Sequence, residues 1–136
     1  AQLQRFASGE RANPNMGPLA MSLSEAEIEQ LSEYFAKQSP AANHSFKPDP
    51  ALRKQGEKLA ANGGCAACHG KGLMGHDQFP RLAGQGHDYL LAQLDAFAQG
   101  RRQDPTGAMT AISATLSAED RQALAHYLAA LAPVAQ

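Results

Sequence analysis

Apolar residues recur along this chain at helical rather than strand spacing. No stretch alternates apolar and polar residues over strand length, and β-branched residues are scarce. The pattern predicts an all-α fold. Gln2 to Ala7 read as the last turns of a helix closed by Gly9. Ser24 to Lys37 predicts a helix with a capping box, Ser24 as N-cap and Glu27 reaching back, and an apolar stripe of Ile28, Leu31, Tyr34 and Phe35. A stretch rich in Pro, Ala, Ser and Asn follows from Gln38 to Pro50. Asp49 then caps a helix with Pro50 at its first position, and Gly63-Gly64 stops it after about Asn62. Beyond a glycine-rich loop, His87 to Gln99 is helical with Leu90, Leu94 and Phe97 on one face. Ser117 caps a final helix to about Ala132 that turns Leu124, Tyr127, Leu128 and Leu131 inward.

Part of this pattern occurs twice. Ala1-Gln2-Leu3 matches Ala92-Gln93-Leu94, and Phe6, Gly9, Arg11 and Pro14 match Phe97, Gly100, Arg102 and Pro105 at the same offset. After a two-residue insertion, Met16, Leu23, Ser24, Leu31 and Tyr34 match Met109, Leu116, Ser117, Leu124 and Tyr127. Similar amphipathic helices do not produce matches at Gly, Arg, Pro and Met outside the helical period, so the pattern reads as a duplicated unit. The first copy has no counterpart of Asp49 to Leu91. The organisation expected is the C-terminal half of a first domain over 1–40, a linker over 41–48 and a complete domain over 49–136, within a longer polypeptide.

Composition narrows the function. The 136 residues allow one domain or two small ones, with no tryptophan. A domain below about 100 residues buries a limited share of its surface and often needs a cofactor, metal or staple. A formal net charge of −1 gives no basic footprint for nucleic acid. No apolar run approaches the roughly 20 residues of a membrane span. The sequence opens without a leader pattern, so an exported form is expected to have lost its targeting segment. Both cysteines lie in Cys65-Ala66-Ala67-Cys68-His69, which points to a local chemical site rather than a disulfide framework.

Two cysteines three residues apart, followed at once by histidine, suit thioether attachment of a c-type haem, with His69 placed as proximal ligand. A thioredoxin-like dithiol also uses Cys-x-x-Cys but belongs in a βαβ setting. A zinc site needs about four ligands, and His76 and His87 are badly spaced for a finger. A chance occurrence in a helical protein is the remaining alternative. For a sixth ligand the candidates are Met74 and Met109. Met74 lies too close after Cys68 to leave the histidine side, whereas Met109 is read in a loop with Gly107 and Ala108 that can cross to the far face, and it matches Met16. A backbone carbonyl near Pro80 is the candidate acceptor for the other nitrogen of His69. His44, His76, His87 and His126 read as surface or cap residues.

Together with Pro80-Arg81-Leu82-Ala83-Gly84-Gln85, Tyr89-Leu90, Gln93-Leu94, Phe97, Gly100, Arg102, Met109 and the Leu116-Ser117 cap, this motif resembles a class I cytochrome c domain, in particular the dihaem cytochrome c4 group. The resemblance covers about Pro48 to Ala132, and the stretch to about Lys37 resembles the second half of the same domain. It implies thioethers at Cys65 and Cys68, axial ligands His69 and Met109, and a Pro80 carbonyl bonded to His69. It also implies that Gly56 lets the first helix of the domain cross the last one against Tyr127. One haem c would be held by this chain and a second by the parent protein, with Met16 as axial ligand of that other haem. The function implied is periplasmic electron transfer by a soluble carrier, not an enzyme, with redox proteins as donor and acceptor and membrane oxidase or reductase complexes as docking partners. A cytochrome subunit of a larger periplasmic oxidoreductase is the alternative. A haem peroxidase is a third reading, which needs an open sixth position that Met109 argues against.

Overall fold

The computed structural model describes residues 2–42 and 45–134, so His44 lies outside the described residues. The helices are α1 (Gln2–Ser8), α2 (Met16–Met21), α3 (Glu25–Ala36), α4 (Pro50–Asn62), α5 (Cys65–His69), α6 (His87–Ala98), α7 (Ala108–Thr115) and α8 (Ala118–Ala130), with a 3₁₀ turn at Lys71–Leu73. Among the described residues, the only extended pairing is an isolated bridge between His76 and Phe79. The chain divides into two compact units, 1–39 and 40–136.

Helices α3, α4 and α8 start at side-chain caps. Ser24 accepts from the Glu27 amide at 3.3 Å, and the Glu27 carboxylate accepts from the Ser24 amide at 2.8 Å. Ser117 and Asp120 make the same reciprocal pair at 3.0 and 3.1 Å. Asp49 accepts from the Ala51 and Leu52 amides at 2.9 and 3.0 Å, while Pro50 occupies a position where no amide is needed. Each cap satisfies donors that the first helical turn leaves without partners. The short helices α2, α5 and α7 are additions to the sequence pattern, because fewer than three turns carry too little periodicity to read.

In the first unit α1 packs on α2 and α3. Its buried residues are Ala20 and Ile28. Of the expected stripe on α3, only Ile28 is covered; Leu31, Tyr34 and Phe35 are 36%, 59% and 65% exposed. The unit is too small to cover the whole face. Each large apolar side chain so exposed forgoes about 1.5–3 kcal/mol of burial.

In the second unit α4 lies against α8 over the largest interface between any two elements. A Cβ on Gly56 would stand 2.1 Å from the Ala123 carbonyl oxygen and 2.7 Å from Tyr127 Cβ. The two backbones therefore touch, and only glycine permits the crossing. Leu90, Leu94 and Phe97 bury the inner face of α6 as their spacing predicts. On α8, Leu124 and Leu128 are buried while Tyr127, with Leu131 just past the helix end, is half-buried against the same core. Arg121 ties α8 to α6, donating from Nε to Asp95 at 2.6 Å and from its other arm to the Leu116 carbonyl at 2.6 Å.

The sequence expectation that His87 and His126 are surface or cap residues needs correction. His87 stacks on Phe46 with ring centroids 4.8 Å apart and meets His126 edge-on at 4.6 Å. The Nδ1 of His126 accepts from the Asp49 amide at 3.0 Å, which links α8 to the start of α4. Their aromatic partner Phe46 comes from the segment before α4, a long-range contact with no signal in local spacing.

Two outcomes follow for stability. Gly56→Ala should drive α4 off α8 and cost about 3 kcal/mol, as overpacking of a tight core does; calorimetry of the haem-loaded protein should show a Tm lower by more than about 10 °C. For His126, burial and the neighbouring His87 hold its pKa below the ordinary 6.5, with Asp49 opposing. The unfolded chain then takes up this proton more readily than the folded one. The stabilisation is intact above the unfolded value and is lost as pH falls through the folded value. Urea titrations at stepped pH should show the midpoint falling on acidification below the ordinary value of 6.5, and His126→Gln should flatten that slope.

Candidate functional site

The cysteine motif begins where α4 is forced to stop. Gly64 takes φ +63°, a left-handed turn that suits glycine, and α5 starts at the next residue. On this helix Cys65 and Cys68 are three residues apart, so their side chains share one face, and His69 follows at once. Both cysteines are free; Cys65 is half-buried and Cys68 exposed. Burial pushes the Cys65 thiol up, a backbone hydrogen bond partly offsets this, and Cys68 adds to the rise. A thiol-exchange nucleophile needs a lowered thiol pKa, the opposite of the shift at Cys65. Among the described residues no three His, Cys, Asp or Glu side chains gather as a zinc ion would require.

His69 is 5% exposed, and its Nδ1–H donates to the Pro80 carbonyl at 2.8 Å. A carbonyl only accepts, so in the neutral ring the proton sits on Nδ1 and Nε2 keeps its lone pair, the tautomer that binds a metal. Several contacts hold that carbonyl in place. The Gly75 amide donates to the His69 carbonyl at 2.7 Å. Gly75 has φ +77°, and a Cβ there would stand 2.5 Å from the Arg81 nitrogen and 2.6 Å from the Phe79 carbonyl oxygen. His76 and Phe79 exchange backbone bonds at 3.1 and 2.8 Å. The Leu73 carbonyl accepts from both Leu82 and Ala83, at 2.9 and 3.1 Å, and the Gly84 amide donates to Leu128 on α8 at 2.9 Å. Leu73 itself has φ +59°, an unusual conformation for leucine, held by burial of its side chain in the core. Sequence reading singled out neither Gly75 nor Leu73; the glycine-rich composition of the loop was the available signal for Gly75.

Met109 requires a correction. It lies in the first turn of α7, not in a loop. The cap comes from Asp104, five residues upstream, whose carboxylate accepts from the Met109 amide at 3.1 Å and from the Thr106 amide at 3.2 Å. Burial works against ionisation of Asp104, yet hydrogen bonds from the Thr106 hydroxyl and from the Met109, Thr106 and Ala108 amides hold its carboxyl below the ordinary range. Because the cap is so far from the helix start and Gly107 intervenes at φ +70°, the segment reads as a loop.

The duplicated residues make duplicated contacts. Arg11 lies 4.5 Å over the Phe6 ring and donates to Gln2 at 2.7 Å; Arg102 lies 4.6 Å over the Phe97 ring and donates to Gln93 at 2.5 Å. Asn13 accepts from the Asn15 and Met16 amides at 3.0 and 2.8 Å, as Asp104 does from Thr106 and Met109. Met16 opens α2 as Met109 lies in the first turn of α7. The two-residue insertion is taken up at Gly107 and Ala108.

The second unit brings two of the expected site residues, Cys65 and Met109, to one core. Cys65, Met74 and Met109 all pack against the cluster of Ala60, Leu73, Leu90, Leu94 and Leu128, and His69 is bonded to Pro80. Met16 belongs to the first unit. His76 is exposed and bonded to Asp77 at 3.2 Å. Two free thiols on α5, an imidazole bonded through Nδ1 to Pro80 and a thioether packed on the apolar core form a donor set that fits a covalently attached haem.

The family model for cytochrome c matches residues 53–132. A thiosulfate dehydrogenase electron acceptor of Thiomonas intermedia is 36% identical over 138 residues, which is 95% of this chain and 64% of that protein, so the chain spans under two thirds of its length. Among solved structures, the cytochrome c4 of Acidithiobacillus ferrooxidans superposes with a TM-score of 0.87 at 32% identity, covering 96% of this chain and 80% of that one. A thiosulfate dehydrogenase of Marichromatium purpuratum gives 0.87 at 36% identity, covering 97% of this chain and 30% of that one. The chain belongs to the cytochrome c family, as a class I c-type cytochrome related to the cytochromes c4.

Proposed function

We propose that the chain is a periplasmic one-electron carrier built on a His/Met-ligated haem c. Its family implies a covalently bound haem c. The observation that carries the reading is the buried His69 ring, fixed in its metal-binding tautomer by Pro80 at 2.8 Å. When bound, the haem supplies an iron that cycles between ferric and ferrous states. Cys65 and Cys68 form the thioethers, His69 offers Nε2, and Met109 offers its sulfur. A thioether opposite histidine raises the reduction potential. The apolar core of Leu73, Leu90 and Leu94 limits water, and the fixed loop limits rearrangement on electron transfer. With His69 and a capped Met109 both holding the iron, no ligand position would be left open, which suits a carrier rather than an enzyme. The first unit repeats the capped methionine and its Arg–Phe–Gln support, which supports its being the second half of another cytochrome c domain with Met16 as ligand of a second haem.

No helix among the described residues is long and apolar enough to cross a membrane. Redox proteins are the partners this role requires, including membrane oxidases or reductases as docking sites. A second reading, a cytochrome subunit that takes electrons from a larger oxidoreductase, is favoured by relatives named as thiosulfate dehydrogenase electron acceptors. Stable co-purification with such an enzyme distinguishes it from a free carrier.

Two sets of substitutions test the site. Cys65→Ala or Cys68→Ala should each cut the yield of covalent holoprotein severely, read as haem-stained protein after denaturing electrophoresis; ordinary yields from both would exclude attachment there. Met109→Ala should lower the potential, abolish the far-red charge-transfer band of thioether-ligated ferric haem and open the iron to added cyanide. Met16→Ala should do the same to a second haem in the product of the complete gene. Unchanged spectra with one haem per polypeptide would leave Met16 a packing residue.

A further inference from the structure

The segment that leads into α4 is fastened to the rest of the second unit by three rings. Phe46 stacks on His87 at the start of α6, with planes 15° from parallel, and leans on His126 of α8 at 5.4 Å. The two imidazoles meet edge-on at 4.6 Å. The His87 Nδ1 faces the Asp88 carboxylate at 2.8 Å, and its Nε2 is buried without a hydrogen-bond partner, so packing alone joins the two imidazoles. One polar bond completes the fastening. The Asp49 amide donates to His126 Nδ1 at 3.0 Å, across 77 positions of the sequence.

That bond exists in only one protonation state. An amide N–H can only donate, so His126 Nδ1 must keep its lone pair and the neutral ring carries its proton on Nε2. In an imidazolium both ring nitrogens are donors, and the Asp49 amide would face a second N–H. The groups around the ring do little to offset this. Burial and His87 on α6 work against a charge on His126, and Asp49 alone favours one. The Asp49 carboxylate is already engaged by the Ala51 and Leu52 amides, Asp88 is engaged by His87, and Phe46 brings no charge. The fastened residues follow the boundary between the two units at 39 and 40.

We propose that His126 is a proton-operated latch. The neutral ring fastens the segment from Phe46 to Asp49 onto α8, and protonation releases that segment while the helices stay folded. The proton comes from solvent and adds to Nδ1; the Asp49 hydrogen bond is the one that breaks. Release adds length to the connection between the two units, so acidity sets how freely they are joined.

The test follows the haem-loaded, reduced protein by NMR from neutral to mildly acidic pH. The Asp49 amide and the Phe46 ring should shift together with the His126 ring nitrogens, at a midpoint below the ordinary 6.5, while the amides of α6 and α8 keep their protection from exchange. H126N places a carbonyl oxygen where Nδ1 stands and takes no proton, so both signals should hold still over the same range. H126F keeps a ring without an acceptor, so at neutral pH the Asp49 amide should already exchange about tenfold faster, the worth of one hydrogen bond. Asp49 and Phe46 signals that ignore the titration of His126 overturn the proposal, and so does an acid shift that persists in H126N. Release that comes only with loss of protection in α6 and α8 also overturns it, because that is unfolding. Should neither variant accumulate, the unsubstituted protein decides: coincidence of the three titrations supports the latch, and their separation defeats it.

Discussion

The contact between α4 and α8 at Gly56 is the constraint from which the site hangs. Two backbones meet where a Cβ would stand 2.1 Å from the Ala123 carbonyl oxygen, so the angle and depth of the crossing are fixed by the absence of one methyl group. α4 ends at Gly63 and Gly64, which deliver Cys65 at a set place. α8 offers the Leu128 carbonyl to the Gly84 amide and so anchors the far end of the loop that carries Pro80. The motif and its supporting loop are therefore held from the two helices that Gly56 brings together.

Between those anchors the loop uses left-handed backbone conformations, which are unfavourable at any residue but glycine. Leu73 is left-handed, and Gly75 takes a positive φ against the Phe79–Arg81 backbone. Such strain persists only where surroundings over-determine it. Here the return is a buried imidazole with one nitrogen committed to a carbonyl and the other left available. A ligand held this way keeps its tautomer and orientation through changes of charge at its other nitrogen. That property suits electron transfer, where a donor set that moves little keeps the reorganisation small.

The two units show the same local design with different degrees of burial. Each builds an arginine over a phenylalanine, a side-chain cap on a methionine amide, and a reciprocal capping box on the next helix. These contacts lie within short spans of chain, so they form in either unit. The core does not follow from them. In the second unit α4 and α6 cover α8, whereas in the first unit Leu31, Tyr34 and Phe35 remain exposed on α3.

Sequence alone determined what depends on neighbouring residues. Helix starts at Asp49, Ser24 and Ser117, the buried face of α6, the duplication and the attachment motif were all legible, because a cap, a period and a Cys-x-x-Cys-His string are local in the chain. A carbonyl near Pro80 was legible as a candidate from its distance after the motif, whereas the Gly56 crossing was legible only through resemblance, since a glycine does not announce its distant partner. Tertiary structure decided the rest. It made His126 an acceptor for the Asp49 amide through packing with Phe46, and placed the Arg81 Nη1 out of water beside the histidine's support. Each of those outcomes depends on which distant surfaces meet, and no periodicity in the chain encodes that.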